Sequence, residues 1–179
     1  MTSEDFVLIF YSNTRRSVDW QNIDEISWMY SQGLFTYHKQ RIATHQQFED
    51  KLDVVASPKS RMIRDGESTA HMALKSLGKD HLVLKYQIKP ETIKSEQVLD
   101  GFEVDILDQD SHYPCECGDT NALKLEKYLS LSSTKSFLII PYPHTGDIFA
   151  YTFQTTPRFY EYIRHKKKMF SSKIKNIYK

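Results

Sequence analysis

The stretch "LDVVASPKSRMIRDGESTAHMALKSLGKDHLVLKYQIKP", residues 52–90, decides the fold class. Its first six residues are mostly apolar and β-branched, and they predict a core strand that ends at the turn Ser57-Pro58. The segment "ESTAHMALKSLG" places apolar residues at helical spacing and predicts a short helix that ends at Gly78. "HLVLKYQIKP" alternates apolar and polar residues and predicts a second strand. A strand, a helix and a strand in this order indicate a mixed α/β or α+β domain.

Upstream of this stretch, the sequence predicts a strand followed by two helices. "FVLIFY", residues 6–11, is a continuous apolar run typical of a buried strand. "SVDWQNIDEISWMYSQGLF" predicts a helix that begins after Ser17 and ends at Gly33, because serine is a good N-cap and glycine a good C-terminal stop. Residues 36–50 are polar with scattered aromatic side chains and predict a second, exposed helix.

Downstream, residues 91–119 are acidic and loop-like, and "NALKLEKYLSL" predicts a further helix. "SFLIIPYP" and "DIFAYTFQ" predict two strands joined by the tight-turn signal "HTG". A basic helix follows Pro157. The sequence therefore predicts an α+β fold with mixed, largely antiparallel sheets, flanking helices and a basic C-terminal helix. It predicts a single domain over residues 1–157 and a basic helix or tail over residues 158–179.

The net charge of +1 conceals a strong asymmetry along the chain. From Arg158 to Lys179 there are eight lysines and arginines against the single acid Glu161, a net charge of +7. This segment is suited to binding nucleic acid or an anionic surface. Two other interpretations stay open: a terminal helix that docks through an apolar stripe and leaves its lysines in water, or a tail attracted to the acidic residues 91–119.

Size and composition favour one domain in a reducing compartment. A chain of 179 residues with 40% hydrophobic content can bury one sizeable core. No apolar run reaches the roughly 20 residues that span a bilayer, and the N-terminus lacks the basic start of a secretory signal. Cys115 and Cys117 are too close in sequence for an ordinary disulfide, so we expect free thiols. The expected location is cytoplasmic, or a host cytosol reached without a classical signal peptide.

Common catalytic motifs are not present in the sequence. The six glycines form no phosphate-binding loop, and neither H-E-x-x-H nor G-x-S-x-G occurs. Two cysteines one residue apart provide only half of a four-ligand zinc site, so no metal site is expected. Cys115, with His112 close in sequence and His71 and His81 further away, leaves open a thiol enzyme such as a deamidase.

The order of the predicted elements carries a resemblance to a known family. A strand ending near arginines ("LIFYSNTRR"), a helix closing on "GLF", a strand ending in "VVASPKS", the helix "STAHMAL" and the strand "LVLKYQIKP" follow one another. This order resembles the ADP-ribosyltransferase fold of the cholera-toxin and pertussis-toxin type. "SFLIIPYPHTGDIFAY" is similar to the closing pair of strands of that family. The resemblance covers roughly residues 6–153.

The resemblance implies transfer of ADP-ribose from NAD to a protein or other macromolecular target, as in a bacterial toxin or effector. Arg15 or Arg16 would hold a phosphate of NAD, because a guanidinium binds phosphate oxygens bidentately. Ser57, with Ser60 nearby, would supply the one match to the Ser-Thr-Ser motif of the family.

The catalytic glutamate of the family has no direct counterpart in this sequence. Its expected place, before the strand "KSFLIIP", is occupied by Thr134, Lys135 and Ser136. A carboxylate is needed there to stabilise the oxocarbenium-like state that forms when the nicotinamide leaves. Glu126 is the first substitute and Asp147 the second. The alternative function is a non-enzymatic binding or inhibitory module that engages nucleic acid or a protein partner through the basic tail.

Overall fold

The computed structural model describes residues 3–10, 20–57, 67–131, 136–144 and 146–166. The helices are α1 (Ser3–Phe10), α2 (Trp20–Ser31), α3 (His45–Ala56), α4 (Thr69–Tyr86), α5 (Leu123–Ser130) and α6 (157–166). The strands are β1 (Phe35–Ala43), β2 (Ile93–Leu99), β3 (Phe102–Asp108), β4 (Tyr113–Cys117), β5 (Ser136–Ile140) and β6 (Ile148–Thr155).

The six strands form one sheet in the order β1-β6-β5-β4-β3-β2. Only the pair β4 and β5 is parallel, and the other four neighbouring pairs are antiparallel. The prediction of an α+β fold with a mixed, largely antiparallel sheet and flanking helices is confirmed. The described part of the chain contains no helix both long enough and apolar enough to cross a bilayer.

Each face of the sheet is covered by its own hydrophobic core. On β5, Phe137 and Ile139 pack into one core with α1, α2, α5 and α6, while Leu138 and Ile140 pack into the other with α3 and α4. This alternation is the period of two that a strand imposes on its side chains. The sheet therefore separates two helical layers, and a residue's position along a strand decides which layer it meets.

Helix α4 lies unusually close to the sheet. A Cβ atom added at Gly78 would be 2.9 Å from the Ile106 side chain and 3.1 Å from that of Ile140, so glycine permits this approach. The predicted helix stop at Gly78 and the predicted strand "HLVLKYQIKP" are both wrong, because α4 continues to Tyr86. Leu82 is buried and Leu84 is 82% exposed, so the alternation that predicted a strand marks the two sides of a helix.

The strand predicted at residues 6–11 is also wrong. Residues 6–10 belong to α1, where Phe6, Ile9 and Phe10 are buried at helical spacing and Leu8 is 47% exposed. A short apolar run fits a buried strand and a buried helix equally well, and here packing against α2 and β6 selects the helix.

Three further segments differ from the sequence predictions. Residues 36–50 form most of β1 and the start of α3, whose N-cap is Thr44. The predicted strand at 52–57 lies in α3, with Val55 buried and Val54 exposed. Residues 91–119 form β2, β3 and β4, and buried Ile93, Val104 and Cys115 pack these strands into the cores.

Other elements agree with the predictions. The helix ending at Gly33 is α2, and Gly33 has the left-handed backbone expected after a helix, with φ of 65°. The helix in "NALKLEKYLSL" is α5, and the two late strands are β5 and β6. Helix α6 follows Pro157 in the described part of the basic segment.

The N-terminus of α3 gives a first testable prediction. The Thr44 hydroxyl accepts a hydrogen bond from the backbone N–H of Gln47, and the Gln47 side chain accepts one from the backbone N–H of Thr44. Removing such a capping box costs about 1 kcal/mol. Thr44→Ala is expected to lower the free energy of unfolding by that amount in urea titrations. Gln46→Ala, a change in the same exposed turn, is the control and should cost under about 0.5 kcal/mol.

Candidate functional site

Three acidic residues form a row across the neighbouring strands β2, β3 and β4. The pairs Ser95 with Ile106 and Gln97 with Val104 place Glu96 opposite Asp105. The pairing of Ile106 with Cys115, continued by one residue, places Asp105 beside Glu116. Like charges at such close positions destabilise a sheet. We call Glu96, Asp105 and Glu116 the acidic row.

The backbone is irregular at the level of the acidic row. Glu96 has a left-handed backbone, with φ of 52°, in the middle of a strand. On β3, Val104 packs into the core next to α5 and Ile106 into the core next to α4, so the alternation of side chains slips by one residue at Asp105. A left-handed non-glycine residue costs of order 1–3 kcal/mol, and such residues cluster at functional sites.

Three side chains at intervals of four residues face the acidic row from the N-terminal end of α4. They are Glu67, which precedes the helix, His71 and Lys75. Glu67 and Ser68 precede α4, and the Ser68 hydroxyl caps it by accepting a hydrogen bond from the backbone N–H of His71. One ring nitrogen of His71, Nε2, lies 3.3 Å from Asp105 Oδ1 and 3.5 Å from Glu67 Oε1. Lys75 follows one turn later. Because residues four apart lie on one side of a helix, all three meet the same strands.

His71 and Asp105 form an acid–base pair. The hydrogen bond to Asp105 outweighs burial and raises the pKa of His71 above its ordinary value. Burial alone would raise the pKa of Asp105, but His71 and the backbone N–H of Cys117, which donates to Asp105 Oδ2 over 2.7 Å, together lower it. A carboxylate that orients an imidazole in this way prepares it to take up a proton near neutral pH.

Lys75 bridges two carboxylates at the edge of the row. Its Nζ donates to Glu67 Oε1 over 2.6 Å and also to Glu96 Oε1. Burial lowers the pKa of Lys75, but the hydrogen bonds and charges of Glu67 and Glu96 outweigh it, so the net shift is upward. Lys75 therefore stays charged and holds α4 against β2.

Glu116 lies on the α5 side of the row and is almost fully buried. Lys124 Nζ donates to Glu116 Oε2 over 2.9 Å, and the Tyr128 hydroxyl donates to Oε1. Burial, followed by the charge of Asp105, raises the pKa of Glu116 to about 7. Lys124 and Tyr128 act in the opposite direction without cancelling this shift. Burial therefore makes Glu116 harder to ionise than Asp105, whose pKa is lowered.

The acidic row, together with Glu67, His71 and Lys75, combines a general base with carboxylates that can attract a cation. The described residues, as placed, contain no group of three or more His, Cys, Asp or Glu side chains with a metal-binding arrangement. Mg²⁺ needs only one or two protein carboxylates, with water and substrate oxygens filling its other positions. The register of β3 and β4 makes Asp105 and Glu116 neighbours, and the charge of Asp105 contributes to the raised pKa of Glu116.

The residues predicted from the sequence lie elsewhere. Glu126 accepts a hydrogen bond from Lys166 of α6 over 2.7 Å, and it lies on the side of α5 away from Lys124 and Tyr128. Ser57 is the C-cap of α3 and not the end of a strand. The sheet lies between α3 and α5, so Ser57 and Glu126 are not brought together. Arg15, Arg16 and Ser60 lie outside the described residues.

The structure also places Asp147, the two cysteines and part of the basic segment, which the sequence analysis had considered. Asp147 pairs with Arg41 over 3.0 Å. Cys115 and Cys117 are free, as expected, but both side chains are buried, which does not favour a thiol nucleophile. In α6, Phe159 is fully buried, so the described part of the basic segment docks through its apolar side.

Sequence reasoning missed Glu67, Lys75, Glu96, Asp105 and Glu116, and considered His71 only as a partner of a thiol. One signal was visible, since Glu67, His71 and Lys75 have the spacing of one helix face within a helix that the sequence does predict. The strand residues gave no such signal, because residues 91–119 were interpreted as a loop.

Comparisons with protein families, with curated proteins and with solved structures gave no match to this chain.

Proposed function

We propose that this protein hydrolyses phosphodiester bonds of nucleic acid with the help of a divalent cation held by Asp105 and Glu116. The observation that carries the proposal is the convergence of the acidic row with the His71–Asp105 pair, at a level where two strands are irregular. Strained backbone, perturbed pKa values and an oriented base in one place are features of a catalytic site.

A cation would make the ionised form of Glu116 less unfavourable. Burial, followed by the charge of Asp105, raises the pKa of Glu116 to about 7. A divalent cation held by Asp105 and Glu116 would favour the ionised form of both and lower that pKa. It would supply Lewis-acid chemistry for a phosphoryl oxygen and would offset the charge that develops as water attacks.

His71 supplies the base for such a reaction. It takes a proton from the attacking water, whose oxygen forms a new bond to phosphorus while the bond from phosphorus to the leaving oxygen breaks. The proton is held on the imidazole, which Asp105 stabilises in its charged form, and the leaving oxygen is protonated from solvent. Glu67 Oε1 lies 3.5 Å from the same ring nitrogen, Nε2, and its charge also favours the protonated imidazole.

Phosphate is favoured over a neutral substrate by the positive groups beside the carboxylates. Lys75 and Lys124 lie on opposite sides of the row, and both are anchored by carboxylates that keep them in place. The basic segment from Arg158 to Lys179 adds a second source of attraction for a polyanion, which remains a prediction.

The test is an assay of labelled single- and double-stranded oligonucleotides with Mg²⁺, Mn²⁺ or EDTA. Cleavage is expected with either metal and not with EDTA. His71→Asn should lower the rate by about 100-fold or more, as expected for loss of a general base. His45→Asn, at an exposed histidine that also faces a glutamate four residues away, is the matched control. Cleavage that persists in EDTA, or equal rates for the two variants, would contradict the proposal.

ADP-ribosyl transfer stays a prediction. Three of the five elements that carried the resemblance are helical where strands were expected, and the NAD-binding candidates Arg15 and Arg16 lie outside the described residues. Labelled NAD incubated with the protein and a cell lysate decides this question, since a transferase labels an acceptor. The alternative, a non-enzymatic binding module, is tested by deleting residues 158–179. If the basic segment binds the partner, this deletion should abolish partner binding.

A further inference from the structure

A small cleft lies between α1, β1, β6 and the segment that follows β5. Its volume is about 130 Å³, and its lining includes Leu8, Lys39, Tyr142, His144, Phe149 and Tyr151. A cavity of about 150 Å³ is enough to hold a benzene molecule. The cleft is slightly smaller than this, so it has room for at most one six-membered ring and not for a base pair.

Tyr142 connects the cleft with the N-terminal end of α4. The ring of Tyr142 lies against Gly118, because a Cβ atom added there would be 2.7 Å from Tyr142 Cε2. Gly118 follows Glu116 by two residues. The Tyr142 hydroxyl hydrogen-bonds to the side chain of Ser68, the N-cap of α4. Tyr142 therefore lines the cleft and also contacts the end of α4 at which His71 meets Asp105.

The side chains of the cleft suit a flat aromatic ring attached to an anion. The Lys39 ammonium lies 4.2 Å from the centre of the Phe149 ring and 5.6 Å from that of Tyr151. A planar base can replace the ammonium over Phe149, and the flexible lysine can then contact a phosphate. His144 and Asp147 supply polar atoms for the edge of the ring.

We infer that this cleft binds one unpaired nucleobase next to the scissile phosphate, so that the substrate is single-stranded nucleic acid or a locally unpaired strand. This inference rests on the proposed function and specifies its substrate. A duplex keeps its bases stacked and paired, and a cleft of this size cannot accept them in that state.

The test measures binding without hydrolysis. Fluorescence anisotropy in EDTA compares a labelled single-stranded pyrimidine oligonucleotide with a duplex of the same length. Phe149→Ala is expected to weaken single-strand binding about 10-fold, within the range for loss of one stacked base, and to leave duplex binding unchanged. Phe149→Leu keeps an apolar side chain without the aromatic face and should show the same loss. Leu84→Ala, at an 82% exposed apolar side chain near the end of α4, is the control and should bind like the wild type.

The outcomes separate this inference from the proposed function. Binding that depends on Phe149 in a protein that cleaves nothing supports the cleft and contradicts hydrolysis. Cleavage with a KM for single strands that Phe149→Leu leaves unchanged supports hydrolysis and overturns the cleft. Equal weakening of single-strand and duplex binding also overturns it, since the loss would then not concern an unpaired base.

Discussion

Asp105→Asn is expected to lower the rate of phosphodiester hydrolysis by about 100- to 10,000-fold, the range for loss of acid–base chemistry and its orienting group. Asparagine has the shape of aspartate and can still accept the hydrogen bond from the Cys117 backbone N–H. It cannot stabilise a protonated His71, and it is a weaker ligand for a cation. The change therefore removes charge from the centre of the row with little change in packing.

The pH profile distinguishes a catalytic role for Asp105 from a structural one. In the wild type, kcat/KM should rise with pH as His71 loses its proton, and Asp105 places this rise above the ordinary histidine pKa. Without the Asp105 carboxylate, the pKa of His71 falls, so the residual rate should rise at lower pH. Asp80→Asn, which removes an exposed partner of Lys51 on the outer side of α4, is the control and should keep the wild-type profile. A rate or profile for Asp105→Asn like that of the wild type would contradict the proposed role.

The fold class could be predicted from the sequence even though several elements could not. The prediction depends on the presence of both amphipathic helices and apolar strands, and α2, α5, β5 and β6 provide these. The segments "FVLIFY" and "LDVVAS" are six residues long, and runs of this length fit either structure. Their conformation is decided by what covers them: Phe6 and Phe10 fill a core beside Phe153, and Val55 is buried while its neighbour Val54 is exposed.

The candidate site was less accessible to sequence reasoning, because its residues come from elements far apart in the chain. Asp105 and Glu116 become neighbours only through the register of β3 and β4, and Glu96 joins them through the register of β2. That register depends on connections in which Asp100, Gly101 and His112 have left-handed backbones. Because residues 91–119 were predicted to be a loop, the sequence provided no strand register from which the acidic row could be found.

Glu116→Gln is expected to stabilise the protein at pH 8 by up to about 3 kcal/mol, while leaving its stability at pH 4.5 little changed. The folded protein raises the Glu116 pKa from 4.5 to about 7, so the folded state binds this proton more tightly than the unfolded state does. The resulting stability is complete below about pH 4.5 and is lost as the pH rises to 7. A difference of about 2.5 pKa units corresponds to about 3 kcal/mol. Glutamine cannot ionise, so the variant does not suffer this loss.

Urea titrations of the wild type and of Glu116→Gln at pH 4.5 and pH 8 measure the effect. The lowered pKa of Asp105 contributes to the pH dependence of both proteins, so its contribution largely cancels in the difference between them. Glutamine can still accept the hydrogen bond from Tyr128, and Lys124 is 32% exposed and can be hydrated when its partner is lost. Glu103→Gln, at an exposed site on β3, is the control and should change stability little at either pH. A variant that is more stable at pH 8 but inactive would show that Glu116 is kept for function at the expense of stability. If Glu116→Gln instead destabilises the protein at pH 8, the ion pair with Lys124 is structural and the acidic row is not the reaction centre.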